Sequence, residues 1–190
     1  MARVGDEIRI KYMEGEPTYT GKTGFIEFID DAGQLHGTWG GCAVIPETDK
    51  YETISRCVFC GKEIKEYGNS AAPAVNGTCC DSCNNNVVVP YRVFLTNKEK
   101  GNVALLVKPD ALGLITPKNK YFTLKEHQKA VEGHIELAPQ VLPNFFTVVN
   151  EEGLLLGLPH NKLAHLLFNV EFVGNVFIVP AGIFEKQEED

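Results

Sequence analysis

Four cysteines give the chain its strongest chemical signature: Cys57-Val58-Phe59-Cys60, an interval of nineteen residues, then Cys80-Asp81-Ser82-Cys83. A Cys-x-x-Cys pair can turn two sulfurs to one side of a tight turn, and two such knuckles facing each other complete a tetrahedron around Zn²⁺. All four donors are thiolates, so no position is left for water and the spacing predicts a structural zinc. Iron in a rubredoxin-like site would accept the same four sulfurs. A redox Cys-x-x-Cys is disfavoured because Gly61-Lys62 after Cys60 reads as a knuckle turn, not as the opening of a helix. Disulfides are disfavoured because the polar opening Ala2-Arg3-Val4-Gly5-Asp6-Glu7 lacks an apolar leader, which leads us to expect a reducing, cytoplasmic setting. Cys79 could compete with Cys80 as a ligand, but Cys80 restores the symmetric spacing and leaves Cys79 as a free thiol beside the site. Cys42 reads as core filler.

The rest of the 190 residues carries little catalytic chemistry. There is no Gly-x-Ser-x-Gly, His-Glu-x-x-His or P-loop sequence. The five histidines, at 36, 127, 134, 160 and 165, share no metal-type spacing, since His160 and His165 are five apart and would not stack on a helix face. The triplet His134-Ile135-Glu136 has the deaminase form but follows all six cysteines. These observations predict a non-enzymatic protein. The formal charge is −7, with 5 Lys+Arg against 10 Asp+Glu in residues 1–52, 6 against 4 in 53–100, and 7 against 11 in 101–190. An acidic chain disfavours sequence-independent duplex binding and suits a basic partner. Only the cysteine segment is basic, and Arg56, Lys62, Lys65 and Arg92 are its candidate nucleic-acid contacts. No apolar run approaches the roughly 18 residues that cross a bilayer.

Three segments must position these groups, and together they predict an α+β chain. Residues 1–52 alternate as short strands at Ile8–Tyr12, Gly24–Ile29, Gln34–Trp39 and Cys42–Pro46, with Asp30-Asp31-Ala32-Gly33 as a hairpin turn. Their order resembles an SH3-like small β-barrel. Trp39 is a candidate partner contact, its alternative being a lid over the barrel core, and His36 reads as an exposed strand histidine. Residues 53–100 form the zinc-ribbon-like module, in which Asn84-Asn85-Asn86 reads as a turn and Val87-Val88-Val89-Pro90 as a short strand. Residues 101–190 mix strand and helix and end in a short acidic tail. Val103–Val107, His134–Leu137 and Val176–Pro180 read as strands, and Thr123 with Glu126 caps a helix reaching Val131. A hairpin is expected between Phe145–Val149 and Leu154–Gly157, and a short helix at Asn161–Phe168.

The string Cys57–Ile64, then Tyr67-Gly68-Asn69, then Cys79-Cys80-Asp81-Ser82-Cys83-Asn84, resembles small zinc-ribbon-like proteins of phages and integrative elements of Firmicutes. Residues 5–52 are similar to another uncharacterised mobile-element domain. Residues 103–184 resemble a third, through Ala104–Pro109, Gly133–Glu136, Val149–Gly153 and Gly157-Leu158-Pro159-His160-Asn161, where His160 replaces the polar residue usual in that family. The resemblance implies a phage or conjugative element rather than a chemistry. It suggests an interaction protein that binds and inhibits a host defence component, such as a CRISPR effector like Cas9, in the bacterial cytoplasm. Two alternatives are a nucleic-acid-binding accessory factor and a sponge for a nucleotide immune signal.

Overall fold

In the computed structural model, which describes residues 2–184, strands outnumber helices in a mixed α+β architecture. The chain groups into two compact units, Met1–Arg56 with Gly61–Tyr67 and Cys57–Cys60 with Gly68–Asp190. The expected cuts after residues 52 and 100 do not coincide with this partition, since the segment between them is shared by both units.

The first unit is an antiparallel sheet of β1 (Glu7–Tyr12), β2 (Thr23–Ile29), β3 (Leu35–Gly37) and β4 (Lys50–Thr53), in the order β3-β2-β1-β4. Alternation on β1 sends Ile8 and Ile10 inward, where they join Met13, Ile26, Leu35, Trp39 and Val44 in one core. Gly37 is required here, because a Cβ would stand 2.3 Å from the Trp39 ring and 2.2 Å from the Phe25 carbonyl oxygen. The strand expected at Cys42–Pro46 is reduced to a single bridge between Leu35 and Val44. Its continuation is lost to the buried Asp49 carboxylate, which accepts from the amides of Ile45 (2.7 Å) and Glu14 (2.9 Å) and folds the segment into a loop. A hairpin of β5 (Ser55–Arg56) and β6 (Glu63–Ile64) completes the unit. Arg9 ties it to β1 and β4, with Glu63 and Glu52 each 2.7 Å from the guanidinium.

The second unit opens with the ribbon β7 (Asn69–Ser70) and β8 (Thr78–Cys79). One continuous helical run follows: α1 (Asp81–Cys83), a π-helical turn (Asn84–Val88) and α2 (Val89–Asn97). This corrects the expected turn at 84–86 and strand at 87–90. Pro90 has no N–H and its ring would crowd the carbonyl one turn earlier, and the wider π turn ahead of it relieves both problems without ending the helix. Burial of Val87, Tyr91 and Phe94 overrides the β preference of the valines.

β9 (Ala104–Val107), β10 (Leu112–Ile115), α3 (Leu124–Val131), β11 (Ile135–Ala138), β12 (Phe145–Asn150), α4 (Lys162–Phe168) and β13 (Val176–Pro180) build the remainder. The strands form one antiparallel sheet in the order β10-β9-β13-β12-β11. Both of its faces are buried. Leu105, Val107, Val176 and Ile178 face α2 and α4, while Ala104, Leu106, Phe177 and Val179 face α3. Such double burial explains why β9 and β13 read as uninterrupted apolar runs. The capping box of Thr123 and Glu126 opens α3 as its sequence requires. The hairpin expected from Val149 to Leu154 does not form. β12 pairs instead with β11 and β13, and Leu154, Leu155 and Leu156 are exposed by 82%, 88% and 61% on a turn.

Candidate metal centre

Two turns bring the cysteine pairs together. Gly61, at φ +70°, closes the first knuckle after Cys60 in a conformation that side-chain-bearing residues rarely adopt. In the second, Cys80 is extended at the helix N-cap and Cys83 lies three residues on, so both point to one side of the first helical turn. The amide of Val58 donates to the Thr78 carbonyl at 3.1 Å, fastening one knuckle to the strand that leads into the other.

The Sγ atoms of Cys57, Cys60, Cys80 and Cys83 all lie within 4.8 Å of one another, so these four residues could hold a metal ion. With metal–sulfur bonds of about 2.3 Å, a tetrahedron has edges of about 3.8 Å. The Cys60–Cys80 Sγ separation is 3.8 Å. The donor set therefore fits a tetrahedral, thiolate-binding ion.

Electrostatics point the same way. Burial would raise the Cys57 thiol, but the backbone amides of Cys80, Cys60 and Phe59 aim at its sulfur and bring its pKa down to about 6. Cys83 is pushed upward, first by burial and then by its neighbours Cys57, Cys60 and Cys80. One sulfur is prepared as a thiolate while a neighbour resists ionisation, and a divalent cation among them removes that conflict. Cys79 is fully buried, its thiol is raised by burial, and it stands outside the four-sulfur cluster.

The surrounding contacts brace the site. Arg92 donates to the carbonyls of Ser70 (3.0 Å) and Ala72 (2.6 Å), and Asn69 donates to the Asp81 carboxylate at 2.8 Å. Phe59 and Ala74 rest on the core that holds Val87, Tyr91 and Phe94. The two knuckles thus pack with the second unit's core, whereas residues 61–67 between them group with the first unit.

The other sequence-derived candidates are divided between the two units. Arg56 lies in the first unit, where Glu7 grips its guanidinium at 2.5 and 2.6 Å. Lys62 and Lys65 are exposed in that unit, whereas Arg92 belongs to the second. Trp39 is 5% exposed, and its indole N–H donates to the Cys42 carbonyl at 2.9 Å, so it fills the core as in the lid reading instead of offering a contact face. His36 stacks on the exposed Phe28 at 4.3 Å and lies 3.1 Å from the Asp30 carboxylate. His134 and Glu136 stand at β11, outside the thiol cluster.

Residues 102–186 match a family model. Its description is "Domain of unknown function (DUF3846)". The match takes in β9 to β13 with α3 and α4, so all four cysteines of the cluster precede the DUF3846 region. No curated protein and no solved structure matches the chain.

One constellation escaped the sequence reading. His160, His165 and Glu171 are brought together at the surface of the DUF3846 region, although their intervals carry no recognisable motif.

Proposed function

We propose that the chain is a non-enzymatic interaction protein of a phage or mobile element, stabilised by one zinc ion, that binds and inhibits a host defence component. The closed four-thiolate donor set carries the reading, because an ion held by four sulfurs has no place for a substrate or an activated water and acts as a structural clamp. Zinc is the natural occupant, since it tolerates tetrahedral thiolate coordination without redox change.

The first unit, read as an SH3-like barrel module, supplies a binding face. Phe25 and Phe28 are each 52% exposed on its sheet, and exposed aromatic groups in an acidic surface suit a basic protein partner. A CRISPR effector such as Cas9, whose nucleic-acid channel is positively charged, is the first target of that class. The nucleic-acid reading is less favoured because Arg56 and Arg92 spend their guanidinium groups on internal partners. The nucleotide-sponge reading has no comparable support.

The test is co-purification of the zinc-loaded chain with purified effector nucleoproteins, coupled to a target-cleavage assay. We expect binding at low salt, weakened at least tenfold by Phe28→Glu, together with slower cleavage. Failure to bind any defence complex would remove this proposal. A salt-dependent gel shift lost on charge reversal of Lys62 and Lys65 would favour the nucleic-acid reading.

A further inference from the structure

His160, His165 and Glu171 lie on three different pieces of backbone in the second unit, yet both imidazoles meet the same carboxylate. His160 Nε2 contacts Glu171 Oε2, and His165 Nδ1 lies 2.7 Å from Glu171 Oε1. The two rings stand 6.2 Å apart, inclined by 54°.

The scaffold beneath them is hydrogen-bonded throughout its turn. His160 forms an isolated antiparallel bridge with Val173, and the Asn161 amide donates to the Phe172 carbonyl at 2.8 Å, which fixes Glu171 next to that bridge. Asn161 is fully buried. Its side-chain oxygen caps α4 at the Ala164 amide, and its NH₂ donates to the carbonyls of Val107 (2.9 Å) and Gly174 (2.7 Å). His165 is carried by α4, and Asn169, left-handed at φ 54°, ends that helix so that the chain returns with Glu171. The side chains themselves are open to water, at 46%, 47% and 67% exposure for His160, His165 and Glu171.

We propose that this triad is a second metal site, taking a divalent transition ion through two imidazole nitrogens and one carboxylate oxygen. It differs in kind from the cysteine cluster. Nitrogen and oxygen donors suit Zn²⁺, Ni²⁺, Co²⁺ or Cu²⁺, three protein ligands leave positions for water, and half-exposed side chains let an ion exchange with solvent. The three donors are not gathered as tightly as the four sulfurs, so binding requires the Glu171 carboxylate to swing aside and the two imidazoles to approach the ion. The sequence hides the site because His160 precedes the helix and reaches the triad through a bridge rather than through helical spacing.

The test uses the full chain with its cysteine site loaded with Zn²⁺ and excess metal removed. Co²⁺ is then added and followed by calorimetry and visible absorption. We expect one further equivalent, with weak d–d bands and none of the sulfur-to-cobalt charge transfer that the cysteine cluster would give. His165→Ala, His160→Asn and Glu171→Gln should each weaken that equivalent by more than the roughly 10–100-fold that loss of a merely supporting residue costs. The bound zinc and the melting temperature should not change. Absence of a second equivalent would overturn the proposal and leave a hydrogen-bonded triad only. Persistence of the second equivalent in all three variants would overturn it equally.

Discussion

Removing the metal proposed for the cysteine cluster, by chelation or by Cys60→Ser, is the perturbation that most directly tests how this chain is held together. Two thiolates about 3.8 Å apart repel by about 4 kcal/mol at an effective dielectric constant of 20. The four sulfurs, confined within 4.8 Å, therefore cannot remain a thiolate cluster without a cation. Without the ion the knuckles separate or take up protons, and the supports of the site are loosened in turn. Phe59 and Ala74 lose their seat on the core, and the first turn of the helix beginning at Asp81 loses its anchor. Metal present at 1,000 times its dissociation constant contributes about 4 kcal/mol to a folded state that alone binds it. A domain of this size melts about 4 °C lower for each kcal/mol lost, so the second unit should lose about 16 °C if metal binding is coupled to its global unfolding. The first unit, with its own core around Ile8, Ile10 and Trp39, should melt unchanged.

Scanning calorimetry with and without chelator reads the shift. Elemental analysis verifies metal loss, and hydrogen exchange locates the damage, which we expect at 57–60 and 69–83 before β9, β12 and β13. Cys79→Ser serves as the contrast, since Cys79 lies outside the cluster and its replacement should leave metal binding by the four cysteines unchanged. Verified metal-free protein that keeps both its melting temperature and its protection at 57–60 and 69–83 would refute the reasoning.

Three further outcomes are expected. Thr123→Ala removes the cap oxygen that accepts from the Glu126 amide and should cost about 1 kcal/mol, seen as a lower denaturation midpoint with an unchanged slope. Phe177→Ala empties a fully buried position between Phe122 and His127 and should cost about 3–5 kcal/mol, enough to leave much of the second unit unfolded by circular dichroism. His127 is 2% exposed, its ring nitrogens find no hydrogen-bond partner among the described residues, and burial depresses its pKa. The unfolded chain then takes the proton first, so the contribution of His127 to stability should be constant above about pH 6.5 and fall below it by up to about 1.4 kcal/mol per pH unit. His127→Leu should flatten that part of a urea-denaturation series taken from pH 7.5 to 5.5.

What the sequence made legible depends on how far apart the deciding groups lie. The cysteine knuckles and the Thr123–Glu126 cap were readable because each is closed within four residues, where chain geometry alone fixes which atoms meet. β9 and β13 were readable because burial on both faces leaves an apolar run with no other comfortable conformation. Misreadings arose where burial across the fold outweighed local preference. Val87 and Val88 look like strand, yet their side chains are sealed into the second unit, which only a helix continuing past Pro90 allows. Leu154 to Leu156 look like the return arm of a hairpin, but β12 already spends both edges on β11 and β13, so the leucines had no strand left to pair with. The His160–Glu171–His165 triad lies furthest from any local rule. A bridge to Val173 and a buried asparagine assemble it, and neither leaves a periodic trace. A site closed within one turn is written into spacing, whereas one assembled by pairing between segments appears only when the fold is known.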